Sequence, residues 1–236
     1  MWGYTGSKWA ASVKYPEPLY ETIIEPLAGS AGYSLRYADH KVILCEINPD
    51  VVTIWRMIQK NKNLERRLPA EIAPGTVVEE MRGIDEEVRL FLHYKTCAAH
   101  AGYHLKFTDR GAARWPLDRR RVLAMAHLIK HWDVRCESFD RLEPPRGPCT
   151  WFVDPPYQQV IAAGRGDYKF KHVNYGVLAN HVRNVWRGQV IVCEQEGANW
   201  LPFRPLYNLS AQHYAGCKLT TEVMYYNDGA KSLFFK

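Results

Sequence analysis

No apolar run in this chain of 236 residues approaches the roughly 18 residues that a membrane span needs. The opening residues also lack the charged, apolar and small-residue order of a secretory leader. Neither a spanning segment nor export is expected. Closely spaced cysteine pairs are absent too. The six cysteines, Cys45, Cys97, Cys136, Cys149, Cys193 and Cys217, include no C-x-x-C pair, so neither a zinc site nor a disulfide framework is expected. Three of them lie in apolar, strand-like runs, where a thiol acts as a small hydrophobe. A reducing cytoplasm is the expected compartment. The nine histidines show no metal-ligand spacing, and no metal is expected. There is no low-complexity tract and no internal repeat. Acidic residues are fewer than basic ones, 25 against 31, for a net charge of +6. That balance suits a polyanionic partner without requiring one. What is present is ordinary for a globular chain: 47% hydrophobic and 24% charged residues. The length fits one α/β domain with room for a small insertion.

The stretch Thr150-Trp151-Phe152-Val153-Asp154-Pro155-Pro156-Tyr157 organises the rest. It begins as a buried strand and stops at two prolines, which cannot donate to a sheet and which hold the preceding residues extended. The result is a stiff loop offering a carboxylate, free carbonyls and an aromatic ring at the carboxyl edge of a strand, where open α/β sheets bind ligands. Such a rigid acceptor pair beside a ring suits a flat substrate bearing an amino group.

Several other segments are read from their residues. Met1-Trp2-Gly3-Tyr4-Thr5-Gly6-Ser7-Lys8-Trp9 is a glycine-containing loop that ends on a cation. Residues 20–25 form a strand that runs into Pro26-Leu27-Ala28-Gly29-Ser30-Ala31-Gly32, a small-residue turn expected to open a helix. Residues 41–45 form a second strand. Glu46 at its tip lies about 20 positions past the glycine turn, where an acid can accept the hydroxyls of a ribose. Ile47-Asn48-Pro49-Asp50 then opens a helix to about Asn61, with Val51, Ile54, Trp55 and Ile58 on one amphipathic face. Residues 84–99 and 118–132 are expected helices, the latter capped by Asp118. Residues 133–139 are an alternating strand ending in Ser138-Phe139-Asp140. Residues 158–172 read as a mobile, basic segment. A helix over 175–186 carries Val177, Leu178, His181, Val182 and Val185 on one side. Residues 189–193 are a buried strand, and 203–209 with 221–227 form a closing antiparallel pair.

These motifs, in this order, resemble the alpha-type, Dam-like DNA adenine (N6) methyltransferases, whose motif is Asp-Pro-Pro-Tyr. The resemblance covers about residues 2–227. It implies an α/β, Rossmann-like fold of the S-adenosylmethionine-dependent methyltransferases: a mostly parallel seven-stranded sheet with helices on both faces. It implies a catalytic domain from residues 1–61 and 118–236, and a small inserted target-recognition segment at 62–117. The implied cofactor is S-adenosyl-L-methionine, held by Trp2, Tyr4, Lys8, Glu25, Pro26, Ala28, Gly29, Ser30, Gly32, Glu46, Ile47, Ser138, Phe139 and Asp154. Lys8 would pair with its methionyl carboxylate and Phe139 would lie along its adenine. Ala31-Gly32 departs from the family's usual glycine followed by a small residue. Asp154, Pro155, Pro156 and Tyr157 would be catalytic, with Tyr157 stacking on the substrate base. Lys106, Arg110, Arg114, Arg119, Arg120, Arg165, Lys169 and Lys171 are the candidate phosphate contacts. The implied partner is double-stranded DNA with its adenine flipped out. A restriction nuclease partner and a homodimer both stay open, as do RNA adenine, another amine as substrate, and a non-catalytic nucleic-acid binder.

Overall fold

The computed structural model describes residues 7–60, 63–96, 106–164, 169–170, 172–209 and 220–229. Seven strands are β1 (Thr22–Glu25), β2 (Lys41–Glu46), β3 (Asp133–Cys136), β4 (Cys149–Val153), β5 (Gly188–Gln195), β6 (Arg204–Leu209) and β7 (Thr220–Asn227). They form one sheet in the order β3-β2-β1-β4-β5-β7-β6. The first five pair in parallel, and β7 runs antiparallel to both β5 and β6. The chain builds outward from β1 to β3, then returns to β4 beside β1. The order reverses between those two strands, which opens a crevice at their carboxyl ends. The mostly parallel sheet and the closing antiparallel pair are as expected from the sequence.

The helices are α1 (Pro49–Lys60), α2 (Leu64–Arg67), α3 (Glu86–Thr96), α4 (Asp109–Leu128), α5 (Gln158–Ala162) and α6 (Tyr175–Asn180), the last extended by a π turn over His181–Val185. Alternation along the strands divides their side chains between two cores. Ile23, Val42, Leu44, Phe152 and Ile191 face α1, α3 and α4. Ile24, Ile43, Trp151, Val153, Val190 and Val192 face α6. Helices therefore cover both faces. Ring stacking marks each side: Tyr33 on Phe152 with centroids 4.1 Å apart, and Trp151 on Trp186 at 4.6 Å.

A buried polar pair lays the N-terminal segment across this sheet. Thr150 donates to Gln189 Oε1 at 2.8 Å, and the same oxygen accepts the Leu19 N–H at 2.9 Å. The Gln189 amide nitrogen donates to the Glu17 carbonyl. Tyr33 donates to the Pro16 carbonyl, and Arg36 to Ser12 Oγ. Residues 12–20 are thus held from both ends of the polypeptide.

Several local expectations change. The turn after β1 leads into a short 3-10 turn, Ser34–Tyr37, and not into an α-helix. Helix α4 starts at Asp109, where Thr108 Oγ1 accepts the Gly111 N–H as an N-cap, so Asp118 is no cap. Asp118 lies buried in mid-helix, 2.6 Å from Lys95 Nζ on α3. Pro116 sits inside α4 at a cost of about 3 kcal/mol, which burial of Trp115 and Val122 offsets. The boundary expected at residue 118 therefore falls within a continuous helix. The segment expected as an insertion also contributes Leu64, Val88, Phe91, Phe107 and Trp115 to the same core as α1. Residues 158–162, expected to be mobile, form α5. On the 175–186 helix, Val177 and Val185 are exposed while Leu178, Ala179 and Val182 are buried. Among the described residues no helix is long and apolar enough to cross a membrane.

Because the segment 62–117 shares its core with α1, a single transition is predicted. Phe91→Ala should cost about 3–5 kcal/mol and lower the single melting transition by about 10 °C. Calorimetry checks this, and a separate early transition for residues 62–117 would contradict it.

Candidate functional site

The strand ends build the site. At the carboxyl edge of β1, β2, β3 and β4 the chain leaves the sheet in four loops. One cleft is lined by Pro26 and Gly29 after β1, Glu46, Ile47 and Asn48 at β2, Ser138 and Phe139 after β3, and Asp154 and Pro156 after β4. The segment before α6 adds Lys169, Phe170 and His172.

The loop after β1 is held rigidly. Gly29 takes a φ of 47° and Ala31 a φ of 45°, a region an L-residue enters at a cost of about 1–2 kcal/mol. Glu46 Oε2 accepts the Gly29 N–H and Oε1 the Asn48 N–H, both at 2.9 Å. The Trp55 indole donates to the Gly29 carbonyl at 2.9 Å. Burial raises the pKa of Glu46, and its backbone hydrogen bonds oppose that rise. Backbone groups of Gly29, Ile47 and Asn48 engage three of its roughly four acceptor sites, and the residue lines the cleft.

The loop after β4 carries the charge. Asp154 Oδ1 lies 2.7 Å from Lys8 Nζ. Burial pushes the Asp154 carboxyl up to about 6, while Lys8 pulls it down. Burial also opposes the charge on Lys8, but Asp154 and Glu222 outweigh it and raise its pKa. The Lys8 ammonium sits 4.8 Å from the centroid of the Tyr157 ring. Tyr157 donates its hydroxyl to Glu222 Oε1, and Tyr15 donates to the same oxygen at 2.6 Å. Tyr175 donates to the Pro156 carbonyl at 2.6 Å, which clamps the proline loop.

Of the residues expected to hold a cofactor, Pro26, Gly29, Glu46, Ile47, Ser138, Phe139 and Asp154 come together on the cleft. Lys8, Glu25, Ala28, Ser30 and Gly32 do not line it. Lys8 is turned to Asp154. Glu25 is buried, accepts the Ser34 N–H at 2.8 Å, and is pushed up to about 8 by that burial, against the Ser34 hydrogen bonds. The Ala28 N–H goes to the Cys45 carbonyl, and the Ser30 hydroxyl to Ser7. Gly32 packs against the backbone of Lys8 and Trp9. Trp2 and Tyr4 lie outside the described residues.

Of the residues expected to be catalytic, Asp154 and Pro156 line the cleft. Pro155 is buried behind them. Tyr157 was expected to stack on a base, but its hydroxyl bonds Glu222 and its ring carries Lys8, outside the cleft lining. Phe170 and His172, which belong to no motif of the sequence, also line the cleft. Glu222 belongs to no motif either. An acid within an alternating strand gives no sign of its partners until the sheet is assembled.

Of the candidate phosphate contacts, Lys106, Arg110, Arg114 and Arg120 are exposed. Arg114 reaches Asp118 at 3.3 Å. Arg119 donates to the carbonyls of Glu65 and Leu68, so it clamps α4 to α2. Lys169 lines the cleft and pairs with Asp50 at 2.8 Å. Arg165 and Lys171 lie outside the described residues. Among the described residues no group of His, Cys, Asp and Glu could hold a metal ion, and Cys45, Cys136, Cys149 and Cys193 are free thiols.

No family model matches the chain, and no curated protein matches it. Among solved structures, one described as a conserved hypothetical protein from Streptococcus pyogenes aligns at 11% identity. The alignment covers 88% of this chain and 86% of that one, with a TM-score of 0.36. A likeness of that size carries no functional argument.

Two predictions follow from this geometry. A Cβ at Gly32 would stand 2.5 Å from the Trp9 nitrogen and 2.8 Å from the Lys8 carbonyl carbon, both backbone atoms. Gly32→Ala should therefore lift the segment carrying Lys8. The Ser12 N–H, bonded to the Lys8 carbonyl at 2.7 Å, should lose its hydrogen-exchange protection. Unchanged protection would contradict this packing. Glu25 keeps its proton when folded but releases it when unfolded above its ordinary value of 4.5. Its contribution to stability is then full below pH 4.5 and lost as pH rises toward about 8. Glu25→Gln should flatten the fall in melting temperature across that window, as thermal scans at stepped pH will show.

Proposed function

We propose that the chain is a methyltransferase of Rossmann-like fold that moves a methyl group from S-adenosylmethionine to the N6 amine of adenine in DNA. The observation that carries this reading is the convergence of Gly29, Glu46, Ser138, Phe139 and Asp154, from four separate strand ends, on one cleft. The strand order supports it, because the reversal between β1 and β4 lies at that cleft.

The residues present fit the cofactor. The remaining acceptor site of Glu46 suits a ribose hydroxyl, Phe139 offers a ring face to adenine, and the tight turn at Gly29 allows a close backbone approach. S-adenosylmethionine, when bound, supplies an electrophilic methyl group on a sulfonium. The chain supplies placement and charge. The amine of adenine is a poor nucleophile because its lone pair is delocalised into the ring. Asp154 accepts one N–H and the Pro155 carbonyl accepts the other, which localises that lone pair and stabilises the positive charge developing on nitrogen. The clamp on Pro156 fixes both acceptors, so positioning carries much of the effect. Lys8 holds Asp154 ionised near neutral pH. A base within a duplex cannot reach such a loop, so it must be flipped out. The exposed Lys106, Arg110, Arg114 and Arg120 would bind phosphates, and binding should weaken steeply with salt.

The test is methyl transfer from labelled S-adenosylmethionine to unmethylated genomic DNA, followed by digestion to nucleosides and mass analysis. N6-methyladenine is the expected product, with a rate that rises with pH through about 6 as Asp154 ionises. Asp154→Ala should lose on the order of 10³ in rate while cofactor affinity is largely kept. A different methylated base, methylation of RNA alone, or an active Asp154→Ala variant would overturn the reading.

A further inference from the structure

Glu222 belongs to no sequence motif and does not line the cleft, yet three donors converge on it. It is 2% exposed. Its Oε1 accepts the hydroxyls of Tyr15 and Tyr157 and lies 3.9 Å from Lys8 Nζ. Lys8 in turn lies 2.7 Å from Asp154 Oδ1. One ammonium is thus shared by two carboxylates, Glu222 buried and Asp154 partly open to the cleft, with the Tyr157 ring beside it. A buried carboxylate is costly to keep unless it is compensated, and strand pairing alone asks for no acid at this position of β7.

The arrangement has a chemical consequence. While Lys8 sits on Asp154 it weakens that carboxylate as an acceptor. A positive charge developing on a substrate amine would also face the ammonium across Asp154. A movement of about 1 Å, on the scale that matters for reacting groups, would bring Lys8 within hydrogen-bond distance of Glu222 and lengthen its contact with Asp154, which eases both obstacles. Building on the methyltransferase reading above, we infer that Glu222 is a positioning residue. It receives the Lys8 ammonium as the substrate amine reaches Asp154, and it holds the Tyr157 hydroxyl throughout. Asp154 then meets the amine with an oxygen released from the ammonium, which stays near enough to keep it ionised. The ionisable groups around this device are Lys8 and Tyr15 from the N-terminal segment, Glu25 from β1, Asp154 and Tyr157 after β4, and Cys193 and Glu194 from β5.

Glu222→Gln tests the inference, since it keeps an acceptor for both tyrosines and removes only the charge. The kcat for methyl transfer should fall about 100-fold, with KM for S-adenosylmethionine unchanged. The acid limb of the kcat profile should move to lower pH, because the Glu222 charge raises the Asp154 pKa. A substitution that merely loosened the fold would not move that limb. The Asp154 carboxyl is also followed by ¹³C NMR in the ligand-free protein, without reference to turnover, and its titration should shift downward in Glu222→Gln. A folded Glu222→Gln protein with wild-type kcat, or with an unmoved Asp154 titration, would overturn the role of Glu222. A moved titration in a chain that methylates nothing would uphold the coupling and reject the methyltransferase reading alone. Should Glu222→Gln fail to fold, Glu222→Asp decides. It keeps the charge but draws it back by one methylene, so the acid limb should stay and kcat should drop; wild-type kcat there would overturn the inference.

Discussion

A single buried ammonium is the constraint on which the candidate site depends. The Lys8 side chain is 8% exposed and lies between Asp154 and Glu222. Breaking a buried pair by removing one partner costs about 3–5 kcal/mol, because the other charge is left without compensation. For the pair to exist, the N-terminal segment must cross the sheet and stop at one place. Thr150, Gln189, Tyr33, Arg36 and Ser12 hold it there through hydrogen bonds. Gly32 lets its backbone come close. The reversed direction of β7 belongs to the same arrangement: Glu222 pairs with Gln195 at the carboxyl end of β5, so the start of β7 reaches the edge where Asp154 stands.

A second set of contacts makes the loops around the cleft stiff before anything binds. Glu46 joins the loop after β1 to the start of α1, and Trp55 holds the other side of Gly29. Tyr175 fixes the proline loop through the Pro156 carbonyl. These bonds serve stability, because each satisfies a backbone group that the sheet cannot. They also suit the proposed chemistry, in which acceptors aimed in advance need no reorganisation at the moment of transfer. The left-handed Ala31 belongs to this pattern: strain in a tight turn persists where the surrounding structure determines it.

The segment between residues 62 and 117 is bound into the body of the protein. Its Trp115 and Phe91 share a core with α1, and its Lys95 pairs with Asp118 beyond the expected boundary. Tyr94 on α3 accepts from Asn48, which lines the cleft. A residue of this segment is therefore one hydrogen bond away from the candidate site. Basic side chains divide by the same logic. Arg119 is consumed by carbonyls of α2 and the turn after it, while Arg110 and Arg120 face solvent.

Local patterns determined a good deal of this. Alternating and apolar runs marked the strands, because a sheet repeats every two residues and needs only neighbours in sequence. The period of Val51, Ile54, Trp55 and Ile58 marked α1 for the same reason. Prolines after Val153 ended β4 and set Asp154 at an edge, since the backbone restriction of proline is local. The residues grouped on the cleft, from Pro26 to Asp154, were legible as strand ends followed by small, acidic or aromatic residues. Only the tertiary structure decided the rest. It turned Lys8 to Asp154, drew Tyr157 out of the cleft to Glu222, buried Glu25, and extended α4 through Pro116. Each of these rests on contacts between segments far apart in the chain. Tyr15 and Glu222 are 207 positions apart, and no pattern within one strand specifies what the strand will meet when charges and hydroxyls must find partners out of water.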